Sequence, residues 1–290
     1  MTTINRVGVL AHPHRPHTFP VAASITAMIA AEGVDAWSFD AWALDDVRDA
    51  MHETDVLIAI GGDGAMLRAA RVGALFDVPV LGVNMGMLGF LTEVSTPDDA
   101  PRAISRLLAG EYWVETRTML AAAVIHDDHA TEIAGEALND IVISGNAVGR
   151  MTHLQTYIDG DWATTYNADA LVIATATGST AYALSCGGPI LPPELRNVLI
   201  VPAAPHLSME RPIVLSEGAQ VMVRPTSTNR TPVLLQADGV ELGEILPGAA
   251  VHVKVSDNVA RFIRMRERNY FYRSLLDRLE PRVNAVTDRR

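Results

Sequence analysis

Apolar residues fall into two textures along the chain. In the first, short apolar runs alternate with helical periodicity. Arg6–Ala11, Val34–Phe39, Val56–Ile60 and Val78–Val83 read as strands, and the third is apolar throughout, as a strand buried on both faces requires. Phe19–Gly33 and Leu44–His52 read as helices between them. Thr96–Gly110 carries full helix punctuation: Thr96 as N-cap, Pro97 at the first position, Asp98 and Asp99 in the first turn, Gly110 at the end. Strand alternating with helix predicts a parallel, doubly wound sheet over residues 1–112. After Tyr112 the texture changes. Runs such as MLAAAVI, LNDIVIS, ALVIATA, VLIVP, QVMVRP and AVHVKV follow one another with turn residues between, and Asp159-Gly160 is a hairpin signal. Residues 113–268 are therefore expected to form a mainly β, sandwich-like domain, followed by an amphipathic helix in the tail 269–290.

Composition narrows the class. The 290 residues are 49% hydrophobic, enough for a large core in two domains. A net charge of −11 argues against a general nucleic-acid binder or a protein of anionic membrane surfaces. No apolar run reaches the roughly 20 residues of a membrane helix, and the N-terminus enters a strand pattern without a signal-peptide core. The single cysteine, Cys186, fits a reducing cytoplasm. The basic run Arg261, Arg264, Arg266, Arg268 reads as a solvated strand face beside a docking helix. His12, His14 and His17 lie among prolines and read as a polar loop.

The chain is organised around Asp55–Arg71, DVLIAIGGDGAMLRAAR: strand, glycine turn, then a helix from Ala65. Gly61, Gly62 and Gly64 let backbone approach a ligand, and free N–H groups at the helix start attract an anion. Asp63 inside such a turn repels phosphate unless it has another task. Two roles fit: accepting a proton from an attacking hydroxyl, or holding a metal that the phosphates share. The only lysine, Lys254, sits in a strand pattern, so phosphates must be neutralised by arginine, backbone amides and a divalent metal, Mg²⁺. Two further stretches carry polar chemistry. Asn139-Asp140 suits vicinal ribose hydroxyls. Thr177-Gly178-Ser179-Thr180, with Tyr182 to stack on a base, suits a polar ligand.

Taken in order, GGDG (61–64), LGVNMGMLGFL (81–91), ALND (137–140), TGSTAYALSCGGPI (177–190), PHLSMERPIV (205–214) and ADG (237–239) resemble the NAD kinase family. GGDG alone is shared with lipid kinases; GGDG with ND and TGSTAY is specific. The resemblance implies a Rossmann-like domain, a β-rich domain and a C-terminal helix that folds back on the first. It implies ATP-dependent phosphorylation of the 2′-hydroxyl of the adenosine ribose of NAD, in a homodimer or homotetramer. By position it implies Asp63 as general base, Gly64 at the NAD site and Arg68 near the phosphates. It places Asn139 and Asp140 at the ribose and pyrophosphate, and Arg150, Asn167 and Asp169 at further substrate contacts. Thr177, Thr180, Ala181, Tyr182 and Ser185 would line the NAD pocket. The chain departs from the family pattern at Ala65, Ala170, Ala176 and Val240. Ala65 replaces a hydroxyl beside the phosphates, which leaves a non-catalytic NAD(P)-binding regulator as the alternative, with a lipid or sphingoid kinase-like enzyme as another.

Overall fold

The computed structural model describes residues 3–40, 44–86, 89–126, 129–146, 151–229, 231–246 and 248–279. Its first part runs β1 (Arg6–Leu10), α1 (Phe19–Ala31), β2 (Asp35–Phe39), α2 (Leu44–Met51), β3 (Val56–Ile60), α3 (Asp63–Phe76), β4 (Val80–Val83) and α4 (Ala100–Leu108). There follow β5 (Trp113–His126), β6 (His129–Ala137), β7 (Asp140–Gly145), β8 (Thr152–Ile158), β9 (Asp161–Ala168), β10 (Ala170–Ala174) and the short α5 (Tyr182–Ser185). The chain closes with β11 (Val198–Ala203), β12 (Ile213–Leu215), β13 (Val221–Pro225), β14 (Val233–Ala237), β15 (Val240–Ile245), β16 (Ala250–Arg264) and α6 (Tyr270–Leu279).

Strands β1–β4 pair in parallel, as the alternating pattern predicts. Helices cover both faces. Ile25 and Ile29 of α1 and Ile104 and Leu107 of α4 pack on Val9, Ile58 and Leu81 on one side. Met66, Ala69 and Ala70 of α3 pack on Leu57, Ala59 and Val80 on the other. Every residue of β3 is buried, which explains its unbroken apolar run.

The sheet does not stop at the end of this unit. The long strand β16 joins β4 in parallel at Phe262 opposite Val80, and continues antiparallel beside β5 from Arg264–Trp113 to Ala250–Ile125. The order of this sheet is β2-β1-β3-β4-β16-β13-β8-β9, with β5 and then β6 branching off β16. A second, antiparallel sheet, β12-β11-β10-β7-β14-β15, packs against the far half of the first. Leu154, Tyr166, Val221 and Val253 from one sheet meet Ile141, Ile143, Leu171, Ile200 and Leu235 from the other, giving the expected sandwich.

Local expectations need four corrections. First, the helix after the glycine turn begins at Asp63, not Ala65, because Gly62 is extended and its carbonyl accepts the N–H groups of Ala65 and Met66. Asp63 is thus the first helical residue, where the helix dipole favours a carboxylate. Second, Thr96 is extended, but its hydroxyl donates to the Asp99 carboxylate instead of capping a backbone N–H, and a 3₁₀ turn at Pro97–Asp99 precedes α4. Third, the terminal helix begins at Tyr270, one residue after the expected start, and is described to Leu279; its expected continuation over 280–290 lies outside the described residues. Fourth, the basic run is solvated only in part: Arg268 is exposed and Arg261 and Arg266 are half-buried. Arg264 is fully buried, for reasons given below.

Candidate active site

The site grows from the carboxyl edge of the parallel sheet, where the loops after β3 and β4 meet. Gly61 has φ +154, and a Cβ there would sit 2.6 Å from the Cβ of Ala65, so the turn into α3 needs glycine. Gly62 and Gly64 have nothing within 4 Å of a Cβ position; they leave open space in front of the helix N-terminus. Asp63 turns its carboxylate away from its own helix. One oxygen accepts the N–H of Phe90 at 2.7 Å and the other that of Leu91 at 2.9 Å. Gly89 is obligatory beside it, because a Cβ there would collide with the Asp63 carboxylate.

Asp63 faces a cavity of about 190 Å³ lined also by Phe90, Leu91, Arg117, Asn139, Ala176, Thr177, Thr180, Ala181 and Phe271. The first domain thus supplies the carboxylate, and the second supplies the amide and hydroxyls opposite it. Asn139 is fixed by its backbone. Its N–H, with those of Leu138 and Asp140, donates to the carboxylate of Asp238, which is held in the Asp238-Gly239 hairpin turn (φ 49 and 75) between β14 and β15. Asn139 carbonyl oxygen also blocks any Cβ at position 178, which explains Gly178. Thr175 ties the two segments: its hydroxyl donates to Leu138 oxygen at 2.6 Å and accepts from Gly178 N–H.

Asp140 is buried, and burial with the neighbouring Asp238 charge pushes its pKa up to about 7. Burial also raises Asp238, opposed by its three backbone donors and by Arg71.

The remaining expected residues scatter around this centre. Arg68 is exposed and lines a smaller space of about 140 Å³ with Gly64, Arg71, Asp238 and Gly239, just outside the cavity. Tyr182 is 45% exposed at the start of α5, its side chain bonded to Cys186 and near Asp140 and Asp169. Ser185, the last residue of α5, and Asp169, between β9 and β10, are exposed. Asn167 oxygen Oδ1 lies 2.6 Å from His153 Nδ1, and its backbone is bound to Ser208. Arg150 lies outside the described residues. His12, His14 and His17 occupy the loop and 3₁₀ turn after β1, and among the described residues no group of three side chains suited to a metal occurs.

Sequence reasoning missed Arg117, Phe271 and the turn-holding task of Asp238. A lone arginine amid the apolar alternation of TRTMLAAAV was the available signal for Arg117. Phe271 carried none, because its place depends on the chain's last helix returning to the first sheet.

A carboxylate at a helix N-terminus, at the carboxyl edge of a parallel sheet and facing a polar cavity, is the arrangement of a nucleotide-dependent phosphotransferase. The comparisons make this specific. The ATP-NAD kinase N-terminal domain model matches residues 9–112, and the ATP-NAD kinase C-terminal domain model matches residues 138–265. An NAD kinase of Dehalococcoides mccartyi is 32% identical over 284 residues, 98% of this chain and 99% of that protein. One from Geobacter metallireducens is 41% identical over 217 residues, 75% of this chain and 76% of that protein. Yeast NADH kinase, solved with NADH, superposes with a TM-score of 0.82 over 96% of this chain and 88% of its own, at 22% identity. An Archaeoglobus fulgidus NAD kinase solved with ATP gives 0.71 over 94% and 97%, also at 22% identity, and the two share the fold. The chain belongs to the NAD kinase family. It is an enzyme with that family's activity, phosphorylation of NAD.

Proposed function

We propose that the γ-phosphoryl group of ATP passes to the 2′-hydroxyl of the adenosine ribose of NAD, giving NADP, with Asp63 as general base. The observation that carries this reading is the Asp63 carboxylate, fixed by two backbone N–H groups at the wall of the cavity it shares with Asn139 and Thr177. Each oxygen keeps a free lone pair for an incoming hydroxyl proton. In-line phosphoryl transfer needs mainly such positioning and neutralisation of charge.

Around it we assign the phosphates to Gly61, Gly62, Gly64 and Arg68, and the ribose hydroxyls to Asn139 and Asp140. Thr177, Thr180 and Ala181 form the pocket wall, Tyr182 lies against a base, and Ser185, Asn167, Asp169 and Arg150 make the outer contacts. ATP as donor is in keeping with the ATP complex of the Archaeoglobus protein, and a dinucleotide acceptor with the NADH complex of the yeast protein. The described side chains build no cage for Mg²⁺. The metal is therefore taken to arrive on the phosphates of ATP, which suits an ion that keeps most of its waters, and it supplies charge neutralisation there. We also place the enzyme in the cytoplasm as a homodimer or homotetramer. Residues 1–112 with the terminal helix form one unit and 113–268 the other. No described helix is long and apolar enough to cross a membrane.

The test is NADP formation from NAD and Mg-ATP by the purified protein, with Asp63→Asn beside it. The wild type is expected to turn over, and Asp63→Asn to bind NAD with its rate cut at least ~100-fold. Wild-type turnover in Asp63→Asn removes the base assignment. Tight NAD binding without turnover in the wild type favours the regulator.

A further inference from the structure

Beneath the Asp63 cavity lies a buried cluster of charges that the reaction as described does not use. Glu115 is 4% exposed, Arg117 4%, Arg264 0% and Tyr270 7%. Glu115 Oε2 accepts Arg264 Nε at 2.7 Å and Arg117 Nη2 at 3.0 Å. The Tyr270 hydroxyl sits between them, 3.0 Å from both Glu115 oxygens and accepting Arg117 Nη2 at 2.7 Å. Arg264 is sandwiched between the rings of Phe262 and Tyr270, each 5.2 Å from its guanidinium carbon. Burying four such groups is costly unless they are paired, and the two arginines, the glutamate and the tyrosine hydroxyl pair with one another, leaving Arg117 Nε and Arg264 Nη2 buried without a hydrogen-bond partner among the described residues.

Two ends of the cluster reach the site. Arg264 Nη1 donates to Leu91 oxygen at 2.7 Å, and the N–H of the same Leu91 donates to Asp63. Arg117 Nη1 donates to Thr177 Oγ1 at 3.1 Å, while Arg117 itself lines the cavity. Tyr270 belongs to α6, and its neighbour Phe271 also lines the cavity. The terminal helix is thus pinned to the segment that holds the base.

We propose that Arg264 and Tyr270 are positioning residues for phosphoryl transfer: by holding the Leu91 carbonyl they fix the residue whose N–H, with that of Phe90, orients Asp63, so that docking of the terminal helix completes the catalytic geometry. The proposal rests on Asp63 being the base. Arg264 acts on the Leu91 carbonyl, Glu115 orients Arg264, and the Tyr270 hydroxyl locks Glu115 between its two arginines.

The test uses Tyr270→Phe, which keeps the ring that packs on Arg264 and removes only the hydroxyl. Folding is checked by circular dichroism and urea denaturation. Then kcat and KM for NAD and ATP are measured, with amide exchange at Phe90 and Leu91 by mass spectrometry. Expected is a kcat about 10-fold lower with both KM values within about twofold, and at least ~10-fold faster exchange confined to that segment. Unchanged kcat, an effect on KM alone, or exchange that rises across both sheets alike would overturn the proposal. Arg264→Lys keeps the charge but loses the fork that reaches Leu91 and Glu115 together, and should show the same signature. Asp63→Asn separates the two ideas. If it retains wild-type turnover, the base assignment fails; if it is inactive while Tyr270→Phe is normal, only the positioning proposal fails.

Discussion

Asp140, assigned above to the ribose hydroxyls, should make NAD binding a proton-linked event. In the free enzyme its pKa stands at about 7, against an ordinary 3.8, because it is buried and faces Asp238. That difference amounts to at most about 4 kcal/mol in favour of the protonated form. If the ribose hydroxyls donate to Asp140, they stabilise the carboxylate, so binding below pH 7 must expel the proton. Calorimetric titration of NAD in buffers of different ionisation enthalpy counts it. About 0.9 proton should leave per NAD bound at about pH 6, and almost none at about pH 8.5. Asp238→Asn removes the neighbouring charge and one of the two oxygens that hold the Leu138–Asp140 turn but leaves the burial, so in protein that keeps its fold by circular dichroism the release at about pH 6 should shrink without vanishing. The sign for stability is opposite to the usual carboxylate case. A group raised in the folded state stabilises fully below its unfolded value of 3.8, and that contribution is lost as pH rises through about 7. The apo enzyme should therefore weaken across that window, and NAD should offset the loss. Zero proton release at about pH 6, or equal release by Asp140→Asn, would refute the assignment.

Three further outcomes follow from the packing. Gly89→Ala drives a methyl group into the Asp63 carboxylate and should lower kcat at least ~10-fold with NAD affinity within a few-fold, measured by steady-state kinetics and calorimetry. Chelation of divalent metal should abolish NADP formation while leaving NAD binding intact by calorimetry, because no described side-chain cluster holds the ion independently of nucleotide. Leu57→Ala, in the fully buried β3, should cost about 2–5 kcal/mol in urea denaturation without an effect on KM beyond the loss of folded protein.

Much of this was legible in the chain because it depends on local pattern. The unbroken apolar run of β3 announces a doubly covered strand, and the glycines at 61 and 89 announce close approach of backbone and side chain. The Asp159-Gly160 pair marks a hairpin, and the structure adds a second at Asp238-Gly239, both with φ positive at the aspartate and the glycine. What stayed hidden depends on contacts distant in sequence. RFIRMRER reads as alternating charge for solvent, yet Arg264 has no exposure because Glu115, 149 residues away, neutralises it. A one-dimensional pattern cannot separate a buried, paired arginine from a solvated one, since both interrupt an apolar run in the same way. The same holds for Asp238. Its motif was visible, but its task is to collect three N–H groups 98 to 100 residues upstream.

These long-range ties explain where the site sits. Strand β16 is the seam: it pairs parallel with β4 at Phe262, antiparallel with β5 along its length, and antiparallel with β13 over Val251–Val253. A carboxylate at the edge of the parallel half therefore comes to face the ND turn of the antiparallel half across one short cavity. Such a seam has few ladder bonds to hold it, since β16 and β4 register at a single residue pair. The buried Glu115–Arg264–Arg117–Tyr270 cluster lies at this point, beside Phe262, and bridges β5, β16 and α6. Directional charge pairs fix an orientation that apolar packing alone would leave free to slide. The two halves are thereby tied together at the point where Asp63 and Asn139 face one cavity.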